Sequence, residues 1–160
     1  MKLKKKLGVP KKPSSAVELE MMEKSMNLIK EVEKQLLQGV DRKSLLPMLE
    51  EALKICPKND AAYGVRGQLH KSIFIAGNDF DYLLKALDDF EKALDLNGYN
   101  LIATREYLTL LALSAELYKD EGNKAKTDEI MQIIDRCKDI CDVTNTIQIL
   151  AKNAEEKQSQ

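Results

Sequence analysis

The sequence predicts an all-α chain of antiparallel helix pairs stacked as an α–α solenoid, about seven helices in all. Leu, Ala, Lys and Glu dominate the 160 residues, and all four are strong helix formers. Apolar residues recur at three- and four-residue spacing, the period of one helix face, and no segment of any length alternates with the period of two that strands require. A helical block also repeats after 41 residues, and a period of roughly 20–50 residues marks stacked arrays.

The elements follow from their caps and breakers. Residues 1–14, with Gly8, Pro10, Pro13 and six lysines (Lys2, Lys4, Lys5, Lys6, Lys11, Lys12), read as a disordered basic arm. The ordered domain is expected over 15–157, with 158–160 as a frayed tail. Ser15 and Glu18 form a capping box for a helix from Ala16 to Leu37, with Val17, Met21, Leu28, Val32 and Leu36 as its stripe. Gly39 ends it, and Asp41 caps a second helix from Arg42 to Ile55 that faces inward with Leu45, Leu46, Leu49, Ala52 and Leu53. Pro47 falls in that helix's first turns, where a missing N–H costs least. Pro57 closes it.

Asn59 or Asp60 caps a third helix to about Ala76, broken by Gly77 and Asn78. A fourth runs from Asp79 or Phe80 to Gly98, with Leu83, Leu84, Leu87, Phe90, Leu94 and Leu96 as its apolar set. Asn100 caps a fifth, to about Tyr118, and Gly122–Asn123 form the next turn. A sixth helix covers Lys124–Cys141 and a last one Thr144–Lys157.

The repeat joins residues 45–59 to 86–100. A shift of 41 aligns Leu46 with Leu87, Leu49 with Phe90, Ala52 with Ala93, Leu53 with Leu94 and Asn59 with Asn100, and the breakers Pro57 and Gly98 also coincide. The block resembles the second helix of a tetratricopeptide repeat in Ala86, Phe90, Ala93 and Gly98, and in Leu45, Leu49, Ala52 and Pro57. Tyr63, Gly67 and His70 fit the bulky–small–bulky spacing of that family's first helix. The repeat of 41 exceeds the roughly 34 residues of a tetratricopeptide unit. The extra length falls between Gly67 and Ala86, and an irregular α–α array of the same period is the alternative.

The resemblance implies a TPR-like array whose concave face is lined by the first helix of each pair. On the third helix that face takes in Gly64, Gln68, Lys71 and Ser72, and on the fifth Ile102, Arg105, Thr109, Ala112 and Leu113. It implies a protein-interaction module (adaptor, scaffold or chaperone-like) that holds a peptide or amphipathic helix of a partner. The basic clamp by which some family members hold acidic tails is missing, since Val65 stands where Asn is wanted and Arg105 neighbours Glu106. Residues 107–116 are apolar almost all round, so this stretch is either wrapped on every side or half buried with an adhesive face. The adhesive face favours the alternative function of a self-assembling structural subunit, such as a homodimer.

Composition narrows the rest. The arm's six lysines leave 19 basic against 26 acidic residues, so the body carries a net charge of −7. Nucleic acid or an anionic surface is therefore a partner for the arm alone. No transmembrane span or secretory leader is expected, and three cysteines without a disulfide framework point to a cytoplasmic protein, or a nuclear one in a eukaryotic cell. No catalytic residue, metal or cofactor is expected. His70 is the single histidine and reads as a packing residue, Cys137 and Cys141 as small hydrophobes, and Glu50–Glu51 and Asp88–Asp89 as solvated helix faces. Met21, Met22 and Met26 read as core, although such clusters also line adaptable binding surfaces.

Overall fold

A computed structural model describes residues 8–132. Among them the chain is helical and holds no strand: α1 (Ala16–Leu37), α2 (Arg42–Ile55), α3 (Asp60–Gly77), α4 (Phe80–Leu96), α5 (Leu101–Asp120) and α6 over 124–132. The expected seventh helix, the end of the sixth, Cys137 and Cys141 lie outside the described residues. No described helix is long and apolar enough to cross a membrane.

The caps explain the boundaries. The Glu18 amide donates to Ser15 Oγ at 3.2 Å, while the Glu18 carboxylate accepts from the Ser14 amide and hydroxyl, both at 2.7 Å. The expected box is thus displaced by one residue on its return arm, because Ser14 offers two donors to one oxygen. Asp41, Asn59, Asp79 and Asn100 cap α2 to α5 in the same way, each accepting from a first-turn amide. Asn78 closes α3 in the left-handed region at φ 53°, which Asn tolerates better than most residues. Pro47 is the sixth residue of α2, in its second turn, so the helix forgoes one bond to the Lys43 carbonyl.

The chain divides into two compact units at the Tyr107–Leu108 junction. In the first, α1 packs on α2, α2 on α3 and α3 on α4, and α1 also touches α3. Neighbouring helices and alternate helices in contact are what a stacked helical array requires. Leu49 and Phe90, matched by the repeat, are both wholly buried, as are Ala52 and Ala93. Each large buried side chain contributes roughly 1.5–3 kcal/mol, and the alanines let helices approach closely.

The expected stripe of α1 holds over its second half, where Val32 is buried and Leu28 and Leu36 pack against the core, and fails over the first. Ser25, Ile29 and Val32 are buried, whereas Val17 and Met21 are exposed. Ser25 earns its buried place by hydrogen bonding: its hydroxyl donates to the Ala52 carbonyl and accepts from Asn59 Nδ2, both at 2.8 Å. Leu84, expected in the apolar set of α4, is also exposed.

The second unit holds the latter part of α5 and α6. Tyr118 and Lys119 carbonyls accept from the amides of Asn123 and Gly122, Gly122 has φ 74°, and Asn123 Oδ1 caps α6. Leu110, Leu111, Ser114, Ala115 and Ile130 are buried.

Candidate functional site

The expected interface residues fall on α3 and α5. Gln68, Lys71 and Ser72 are half buried along one side of α3, at the three- and four-residue spacing of a single face. Ile102 and Arg105 are exposed near the start of α5. The first unit joins these two sets: Lys71 Nζ pairs with Glu106 Oε2, and Arg105 Nη2 lies 3.5 Å from Glu106 Oε1. Glu106 is thus bridged from both helices, and the neighbouring pairing with Arg105 is present as expected. Gly64, also expected on this face, is buried because α3 approaches the cap of α5 closely: a Cβ there would lie 3.8 Å from Asn100 Nδ2.

Thr109, Ala112 and Leu113 belong to the second unit and are exposed. Leu113 leaves 38% of its surface in solvent and Ile102 50%. Tyr107, Leu110, Leu111, Ser114 and Ala115 are buried, so the apolar stretch of α5 is half buried with an exposed side rather than wrapped all round.

A second arrangement was not foreseen. Asp89, expected on a solvated face, is 1% exposed, while Asp88 beside it is solvated and paired with Lys92. Successive helix residues point about 100° apart, so one of the pair turns inward. Arg66 holds Asp89 with a fork, Nη2 to Oδ1 at 2.6 Å and Nε at 3.1 Å from Oδ2. His70 Nδ1 lies 2.9 Å from Oδ2 and, facing a carboxylate, donates. Burial works against the Arg66 charge, but the hydrogen bonds and charge of Asp89 outweigh it and raise its pKa above the ordinary arginine value.

The three groups face a cleft of about 380 Å³ that also meets Leu46, Glu50, Tyr82 and Lys85. The Tyr82 ring is 5.8 Å from that of His70, and Lys43 and Lys85 stand 5.3 and 4.9 Å from its centroid. The cleft holds no serine, threonine or cysteine nucleophile, and every charge at its buried end is already paired. Its chemistry is that of a closed ion-pair network that joins α3 to α4. Among the described residues no group of three or more His, Cys, Asp or Glu is placed to hold a metal ion.

Of the basic arm, Lys11 and Lys12 are exposed, and Lys2, Lys4, Lys5 and Lys6 lie outside the described residues. Gly8 is tied to the body by two backbone bonds, its amide to the Leu94 carbonyl at 3.1 Å and its carbonyl from the Gly98 amide at 2.7 Å. Of the methionines expected in the core, Met26 packs against it, half buried, whereas Met22 is half buried and Met21 exposed. Compared with protein-family models and with curated proteins, the chain matches none.

Proposed function

We propose that this chain is a TPR-like protein-interaction module, cytoplasmic and without catalytic activity of its own, that takes a peptide or amphipathic helix of a partner protein. Two observations carry the reading, one in each unit: in the first, Ile102 stays half in solvent near Arg105, and in the second, Leu113 is exposed with Thr109 and Ala112. Exposed apolar side chains interspersed with charge at helical spacing suit an amphipathic partner segment, which buries its apolar residues and meets the charges at the rim. The half-buried row Gln68, Lys71 and Ser72 on α3 supplies further polar contacts. The burial of both repeat blocks supports the array as scaffold: Ala86, Phe90, Ala93, Leu45, Leu49 and Ala52 are all inside.

The test is capture of partners from nuclease-treated lysate by the wild-type chain and by an Arg105→Ala, Leu113→Asp double variant of matched helicity. A discrete protein partner held by the wild type and lost by the variant supports the reading. Equal capture by both shows that the surface is wrong. Recovery of this chain alone favours self-assembly, and material lost on nuclease treatment favours the lysine arm.

A further inference from the structure

We propose that a cavity beneath the N-terminal arm binds a single-chain anionic amphiphile, the acyl chain against Met21, Met22, Cys56 and Leu96 and the carboxylate at Lys11 and Lys12. The cavity measures about 410 Å³, within the roughly 300–1,000 Å³ of small-molecule sites. It is distinct from the α5 surface and rests on separate observations.

The arm is built into the wall. Its two bonds at Gly8 fix one end against the last turn of α4, and a side chain at Gly8 would overlap the Asp95 carbonyl. At the other end, Ser14 is held by the Glu18 carboxylate. Between these anchors Val9, Lys11, Lys12 and Pro13 cross the opening. The opposite walls are apolar and soft. Met21 and Met22 come from α1, Cys56 follows α2, and Leu96 ends α4. Methionine side chains are flexible and adapt to a chain of methylenes.

The charge at the opening selects the head group. Lys11, Lys12, Lys58, Glu18 and Asp95 are the charged residues of the cavity lining. Glu18 is committed to Ser14 and to Lys58 at 3.5 Å. Lys11 and Lys12 have no carboxylate partner among the described residues, which leaves their two ammonium groups in the lining beside the Glu18–Lys58 pair and Asp95. A linear apolar tail ending in a carboxylate complements both the lining and this charge. A cationic surfactant of equal length complements only the lining.

The experiment uses the full chain with 13C-labelled methionine methyl groups, titrated with octanoate, decanoate and dodecanoate below their critical micelle concentrations. Saturable shifts confined to Met21 and Met22 are expected. Affinity rises roughly tenfold for each two carbons as the chain fills the cavity. Lys11→Ser with Lys12→Ser weakens dodecanoate about tenfold, and dodecyltrimethylammonium binds more weakly than dodecanoate. Gly8→Val, which dislodges the arm, abolishes the shifts while circular dichroism keeps its helical amplitude. Unsaturable shifts, equal binding of the cation, or undiminished affinity in the lysine or Gly8 variants overturn the proposal. The lysine variants change only exposed side chains, so they decide the matter even where Gly8→Val unfolds.

Discussion

His70 on α3 donates through Nδ1 to Oδ2 of Asp89 on α4 at 2.9 Å, and Arg66, one turn before His70, forks onto the same carboxylate. A buried carboxylate is tolerated only when its lone pairs are filled and its charge is balanced. Here two residues at i and i+4 on one helix do both for a single acid on the next, which fixes the register of α3 against α4.

Removing one member should therefore cost more than removing the set. Arg66→Met leaves Asp89 buried with only His70 to meet it, and is expected to lose ~3 kcal/mol in urea unfolding. Arg66→Met combined with Asp89→Leu removes the stranded charge as well, so the double variant should be more stable than the single one. A double variant no better than Arg66→Met would show that Asp89 does not depend on Arg66.

The contact of Gly67 with Phe90 makes a second test. A Cβ at Gly67 would come within 2.7–3.0 Å of three atoms of the Phe90 ring, itself wholly buried. In an open helix Gly→Ala stabilises by about 1 kcal/mol. At this position the sign is expected to reverse, with a loss of roughly 1–3 kcal/mol from overpacking. Phe90→Leu, which shortens the ring, should relieve part of that loss when combined with Gly67→Ala. Thermal melts of the three variants decide it.

The helices were legible because their caps were: Ser15, Asp41, Asn59, Asp79 and Asn100 each sit where a polar side chain meets a helix start. Burial was less legible where polarity misled. Ser25 takes an interior place by bonding the Ala52 carbonyl, which no apolar periodicity reports. Asp89 was hidden for the same reason, although the 41-residue shift aligns it with Met48, which is partly buried against the core. A charged residue in register with an apolar one was the available signal. The arm's attachment had none, since Gly8 is held through backbone atoms alone.

Asn100 offers a prediction about pH. Its Nδ2 donates to Asp60 Oδ2 at 2.8 Å while its Oδ1 accepts from the Ala103 amide, so both ends are used. Asn100→Asp keeps the cap acceptor but sets two carboxylates against each other. At neutral pH the two charges repel, and protonating either one ends the repulsion. The penalty is therefore greatest where both are ionised and fades as pH falls. The variant should trail the wild type by ~1–2 kcal/mol at pH 7 and close the gap near pH 3. Urea midpoints at the two pH values report it, and a gap that widens on acidification contradicts the pairing.

Glu18 makes the opposite shift. Its pKa lies below the ordinary 4.5, chiefly through the Ser14 backbone amide, next through the Ser14 hydroxyl, and then through the charge of Lys58. A lowered folded-state pKa means that the unfolded chain binds the extra proton first, so this contact favours folding above about 4.5 and loses its effect as pH falls through the folded value. The causes can be separated by following the Glu18 carboxyl carbon through an acid titration by NMR. Ser14→Pro, which deletes the amide and the hydroxyl together, should raise the titration point most. Ser14→Ala, which deletes the hydroxyl alone, should raise it less, and Lys58→Ala least. If Lys58→Ala moved it furthest, the anchor at the foot of the arm would be an ion pair and not the displaced cap of α1.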